Sequence, residues 1–113
     1  MARVPNSDKA VVAESKVIGY LLSDSHRDGR HKAQFFASFG FVTDHWDLLA
    51  EALKIHVRSH DVTNGVQNEF GAKFIVDGIL ETSDGRNPKV RSVWFVEIGE
   101  TSPRFVTAYP QRG

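Results

Sequence analysis

The sequence predicts an α+β fold, with N-terminal helices packed on one face of a C-terminal antiparallel sheet of three to four strands. Three observations carry this expectation. Up to His60, apolar residues recur at helical spacing; after His60 they switch to a period of two, the mark of strands. The two patterns are segregated along the chain instead of alternating, which argues for α+β over a parallel βαβ arrangement. Ser83-Asp84-Gly85-Arg86 joins two of the period-two runs and is a strong hairpin signal.

In chain order, Lys9 to Ala13 reads as a short strand. Glu14 or Ser15 can cap a short helix whose Val17, Tyr20 and Leu21 share a face. Ser23 to Gly29 is turn chemistry. A helix is predicted from about Arg30 to Phe39. Lys32, Phe36 and Phe39 stand at i, i+4, i+7, and Gly40 supplies the left-handed position that commonly ends a helix. Thr43 or Asp44 caps a longer helix over about His45 to Ser59, with Trp46, Leu49, Leu53 and His56 or Val57 on one side. Asp44 and Asp47 in its first turn, and Arg58 and His60 at its end, suit the helix dipole. Asp61 to Glu69 is polar, and Asn64-Gly65 reads as a turn. Phe70 to Leu80, Lys89 to Ile98 and Arg104 to Tyr109 are the predicted strands. Trp46 and Trp94 stand at core spacing.

The 113 residues suit a single domain, with residues 1–8 expected to be flexible. Hydrophobic residues make up 41%, including eight Phe and two Trp, enough for a core and against disorder. The absence of cysteine excludes disulfides, thiolate zinc sites and a thiol nucleophile. The longest N-terminal apolar run, Ala10 to Ala13, is too short for a signal or a membrane span, so the expectation is a cytoplasmic protein, or the end of a larger one, with no membrane partner. Fourteen basic and fourteen acidic residues cancel, so any nucleic-acid surface must be local. The charges do cluster: His26 to Lys32 and Arg86 to Arg91 are basic, Asp44 to Glu51 and Glu97 to Glu100 acidic.

The residues that can carry chemistry fall in two groups. His26, His31 and Lys32 stand at the start of the Phe-rich helix. Histidine titrates where acid–base work near neutrality needs it, and an adjacent cation can stabilise charge on a phosphate. Positive groups at a helix N-terminus oppose the dipole, and a broken local rule of this kind points to a site. The second group is Arg91, Thr107 and Tyr109. A mid-strand arginine needs a partner or an open cleft, and a hydroxyl, a phenol and a guanidinium converging on one concavity can grip a phosphate. The structural alternative is ordinary: Thr and Tyr are good strand formers, and basic turns are commonly solvated. No metal site and no cofactor are predicted. His56 and His60, four apart, are the best remaining ligand pair and read instead as a solvated helix end.

Several motifs coincide: YLL-x3-H-x5-KAxFF-x2-FGF, then W-x2-L-x2-AL-x2-H, then FGxKFxVxGxLxTxDGRxPxVRxVW, and finally PRFVTAYP. Together they resemble, over nearly all of Lys16 to Pro110, a widespread bacterial family catalogued only as a domain of unknown function, found alone and at the ends of larger toxin-like or phage-associated proteins. More distantly, the layout is similar to the barnase–EndoU–colicin–RelE group of metal-independent ribonucleases. That resemblance implies an early helix supplying His26, His31 or Lys32, a sheet arginine at Arg91 and a terminal hydroxyl at Thr107 with Tyr109 beside it. The expected partner is then RNA, cleaved by attack of a 2′-hydroxyl on the adjacent phosphate. The alternative is a non-enzymatic interaction module that binds a cognate protein or a second copy of itself.

Overall fold

The computed structural model describes residues 2–23, 25 and 30–111. After a 3-10 turn at Ser7–Lys9 comes a single helical turn, α1 (Glu14–Lys16), which runs into a π-helical turn at Val17–Leu21. Then follow α2 (Arg30–Ala37), a 3-10 turn at Thr43–His45 and the long α3 (Trp46–Ser59). Four strands complete the chain: β1 (Val62–Asn68), β2 (Gly71–Ile79), β3 (Lys89–Glu97) and β4 (Arg104–Pro110). They form one antiparallel meander in the order β1-β2-β3-β4. The α+β arrangement is the one the segregated periodicities predict.

The core lies between the sheet and the helices. Leu49, Leu53, His56 and Val57 from α3 meet Val76, Val90 and Trp94 from the sheet, all at most 1% exposed. Val90, Ser92 and Trp94 of β3 therefore face α3, and Arg91, Val93 and Phe95 face the other way. Phe36 and Leu21, also fully buried, bring α2 and the π-turn into the same core.

Helix α2 ends where Gly40 predicts, in a complete Schellman closure. Gly40 (φ 93°) donates to the Ala37 carbonyl at 2.9 Å and Phe41 to the Phe36 carbonyl at 3.3 Å. The Phe36 and Phe41 rings supply the accompanying apolar contact, 6.4 Å apart.

Two expectations about the strands fail for identifiable reasons. Asn64-Gly65 is no turn but mid-strand in β1, with Gly65 against the Phe74 ring. The turn lies at Glu69-Phe70, where the Asn68 side chain accepts from the Phe70 and Gly71 amides at 2.8 and 3.1 Å. β1 is an edge strand exposed along nearly its whole length, so it carries no apolar alternation to read. Lys9 to Ala13 is not a strand either. Only Val11 pairs, in an isolated parallel bridge to Arg104, which still covers part of the open β4 edge.

Candidate functional site

Register places Tyr109 opposite Arg91 and Thr107 opposite Val93, so both sit on the sheet face turned away from α3. A bulge at this point brings Val106 in as an extra residue of β4. Two helical side chains reach round the β4 edge to meet them. The π-turn buries Val17 and Leu21 in the core, which leaves Tyr20 on its outer side. The Tyr20 phenol oxygen lies 3.0 Å from Thr107 Oγ1. Helix α2 buries Ala33 and Phe36, and Lys32 beside them donates from Nζ to the same phenol oxygen. The Lys32 ammonium also lies 4.8 Å from the Tyr20 ring centre and 5.8 Å from that of Tyr109. Lys16, one turn before Tyr20, approaches the Tyr20 ring from 5.5 Å. Lys32, Tyr20, Thr107, Tyr109 and Arg91 thus form one continuous row.

The electrostatics of the row centre on Tyr20. Burial raises its phenol pKa, but the hydrogen bonds from Lys32 and with Thr107, together with the charges of Lys32 and Lys16, outweigh burial and set it below the usual 10.0. A phenol held between an ammonium and a hydroxyl is stabilised in its ionised form.

Arg91 has its mid-strand partner. Its Nε and Nη2 donate to the two Asp77 carboxylate oxygens at 2.7 and 2.9 Å, across the directly paired β2 and β3. The bond from Arg91 lowers the Asp77 pKa despite partial burial, and Asp77 in turn raises that of Arg91. Arg91 also bonds the Tyr109 side chain, so its charge is shared between a carboxylate and a phenol.

The remaining candidates stand as follows. His31 is exposed on α2, one residue before Lys32. His26 lies outside the described residues. His56 does not belong to a solvated helix end: it is 1% exposed, and both ring nitrogens are engaged, Nδ1 with Ser92 Oγ at 2.9 Å and Nε2 with the Gly78 carbonyl at 3.1 Å. His60, 5.0 Å from His56 ring to ring, meets the Ile79 carbonyl at 3.0 Å. Among the described residues no group of three His, Asp or Glu gathers as metal ligands do. Of the two tryptophans, Trp94 is fully buried and Trp46 half-buried against the core. No helix among the described residues is long and apolar enough to cross a membrane.

Tyr20 is the member of the row that sequence reasoning passed over. Its helical spacing assigned it to a buried face with Val17 and Leu21. The signal that could have found it is the pair of lysines at i−4 and i+12, which becomes meaningful only once α2 packs against the π-turn.

A comparison with curated proteins returns no match. Among solved structures the chain is similar to one described as a contact-dependent growth inhibition toxin–immunity protein complex from Klebsiella pneumoniae 342, at 21% identity and a TM-score of 0.73. The alignment covers 95% of this chain and 97% of the matched one, so the two share a fold over essentially their whole lengths. Residues 3–112 match the model of a single family, and over that span the chain belongs to the family described as Domain of unknown function (DUF6883).

Proposed function

We propose that this protein is a small toxin-like endoribonuclease that works without a metal, with its site at the row Lys32, Tyr20, Thr107, Tyr109 and Arg91. The observation that carries the reading is the phenol oxygen of Tyr20 held between Lys32 Nζ and Thr107 Oγ1 on the sheet face turned away from α3. It supplies a proton acceptor, a cation and a hydroxyl within one hydrogen-bonded unit, which is what attack of a 2′-hydroxyl on the adjacent phosphate needs. In its ionised form, which the Lys32 ammonium favours, the Tyr20 oxygen takes the 2′-hydroxyl proton as the O2′–P bond forms. The P–O5′ bond breaks, and His31 supplies the proton to the departing 5′-oxygen. The products are a 2′,3′-cyclic phosphate and a 5′-hydroxyl. Lys32 offsets charge on the phosphoryl oxygens, and Thr107 and Tyr109 position them. Arg91, tied to Asp77, acts by holding Tyr109. The fold shared with a chain of a toxin–immunity complex supports the toxin-like part of this reading.

The test is cleavage of labelled single-stranded RNA with divalent metals chelated. Cleavage by the wild type, reduced about 10²–10³-fold by Tyr20→Phe and by Lys32→Ala, is the expected result. Undiminished cleavage in both variants overturns the assignment.

A second reading is favoured by two observations: the sheet arginine is occupied by Asp77, and the chain has no formal net charge. In that reading the domain binds a protein partner and does no chemistry. Failure to bind or cleave RNA even at low salt, where phosphate contacts are strongest, selects it.

A further inference from the structure

On the same sheet face, beyond Thr107, lies an open groove of about 640 Å³ that the proposed chemistry does not use. Its floor is aromatic. Phe95 stands two residues along β3 from Val93, the partner of Thr107, so it lies about 7 Å from the proposed site, of the order of one nucleotide step. Phe70, at the β1–β2 turn, is 67% exposed and lines the groove with it. The aromatic floor is built into the backbone: a side chain at Gly71 would place its Cβ 2.9 Å from the tip of the Phe95 ring and 2.2 Å from the Val96 carbonyl oxygen. The groove is also flanked by cations. Lys73 and Arg104 are the register neighbours of Phe95 on β2 and β4, and the Arg104 guanidinium stands 5.7 Å from the Phe95 ring centre. Lys16 lines the groove and reaches the Tyr20 ring, so it joins the groove to the row. Arg104 is paired with Glu97, whereas Lys16 and Lys73 make no ion pair among the described residues.

We propose that this groove is a base-stacking subsite that makes unpaired RNA the substrate. The base next to the scissile phosphate stacks on Phe95 and Phe70, and the phosphate beyond it meets Lys16. An exposed aromatic floor lets a base lie flat only if it is unstacked from its own strand and unpaired, while flanking lysines track the backbone. The chemistry selects this occupant over an apolar peptide, because Lys73 on β2 and Arg104 on β4 flank the Phe95 ring on both sides. The inference rests on the ribonuclease reading and names what that site takes.

The experiment measures binding of a labelled single-stranded RNA, and of the same sequence as a duplex, over a salt series. Tyr20→Phe is the background, so that binding is read without turnover. The expected result is tighter binding of the single strand, weakened about 10-fold or more by Phe70→Ala with Phe95→Leu. The salt slope should stay unchanged in that variant, whereas Lys16→Ala should lower it by about 0.7. Phe70→Ala alone, at a mostly exposed position, repeats the test where the double variant folds poorly. Equal affinity for strand and duplex, or aromatic variants that bind like their parent, overturns the subsite but leaves the ribonuclease reading standing if the wild type still cleaves. No RNA binding by the wild type and Tyr20→Phe alike ends both. Loss of self-association in the aromatic variants, with RNA binding intact, assigns the groove to a second copy and overturns the subsite.

Discussion

His56 shows how one buried residue sets a pH response. The Gly78 carbonyl must accept, so Nε2 carries the proton and Nδ1 accepts from Ser92 Oγ, which in turn accepts from Trp94 Nε1 at 2.8 Å. The neutral ring satisfies every partner. Desolvation therefore lowers the His56 pKa below 6.5, with His60 adding a smaller effect in the same direction. In this window the unfolded chain binds the proton that the folded one refuses, so stability rises with pH. Denaturation should give a constant stability above about pH 7 and a loss beginning as pH falls through about 6.5, at up to about 1.4 kcal/mol per unit. His56→Gln should flatten that slope. Asp77, whose pKa is lowered by its bond to Arg91, contributes in a lower window, lost only as pH falls below the ordinary carboxylate range. At the other face, Tyr20 should titrate below the ordinary tyrosine range. Ultraviolet absorbance should follow that step, and Lys32→Ala should move it upward.

At the scale of elements, the β2–β3 hairpin braces the helix that carries Lys32. Asp84 is held down to about 2 by the Arg86 backbone and side chain and by Thr82, which shapes the turn. Arg86 then extends to the end of α2, where Nη2 donates to the Ser38 carbonyl and the guanidinium lies 4.4 Å from the Phe39 ring centre. Arg86→Ala should cost about 1–2 kcal/mol, the sum of an exposed cation–π contact and one hydrogen bond. Because it loosens α2, it should also reduce RNA cleavage, though less than Lys32→Ala does. Gly71 is the equivalent pivot of the β1–β2 turn. With φ at 150° and a Cβ position 2.2 Å from the Val96 carbonyl oxygen, Gly71→Ala should cost about 2 kcal/mol or more, read as a lower melting temperature.

Over the whole molecule, the two faces of the sheet have different tasks. One face and the long helix make the apolar core, with His56, Ser92 and Trp94 as its polar seam. The other gathers Lys16, Lys32, Lys73, Arg91 and Arg104, and of the acids there Asp77 and Glu97 are each already paired with an arginine. A chain with no net charge can present a local basic face in this way. If that face binds RNA, raising salt should weaken binding steeply while thermal stability changes little, since the core is apolar.

The fold class was legible in the sequence because periodicity reports which side of an element is buried, a local property. The shift from helical spacing to alternation at His60, Gly40 after the Phe-rich helix and the Asp84-Gly85 turn each state their element unaided. β1 was not legible because an edge strand exposed along nearly its whole length needs no pattern. Lys32, Arg91, Thr107 and Tyr109 could be picked out one by one as residue types suited to phosphate chemistry. Their convergence, the Asp77 partner of Arg91 and the place of Tyr20 between Lys32 and Thr107 join residues from 12 to 87 positions apart. Only the tertiary structure decided those contacts, because they depend on strand register and on how α2 returns over the β4 edge, which no local pattern encodes.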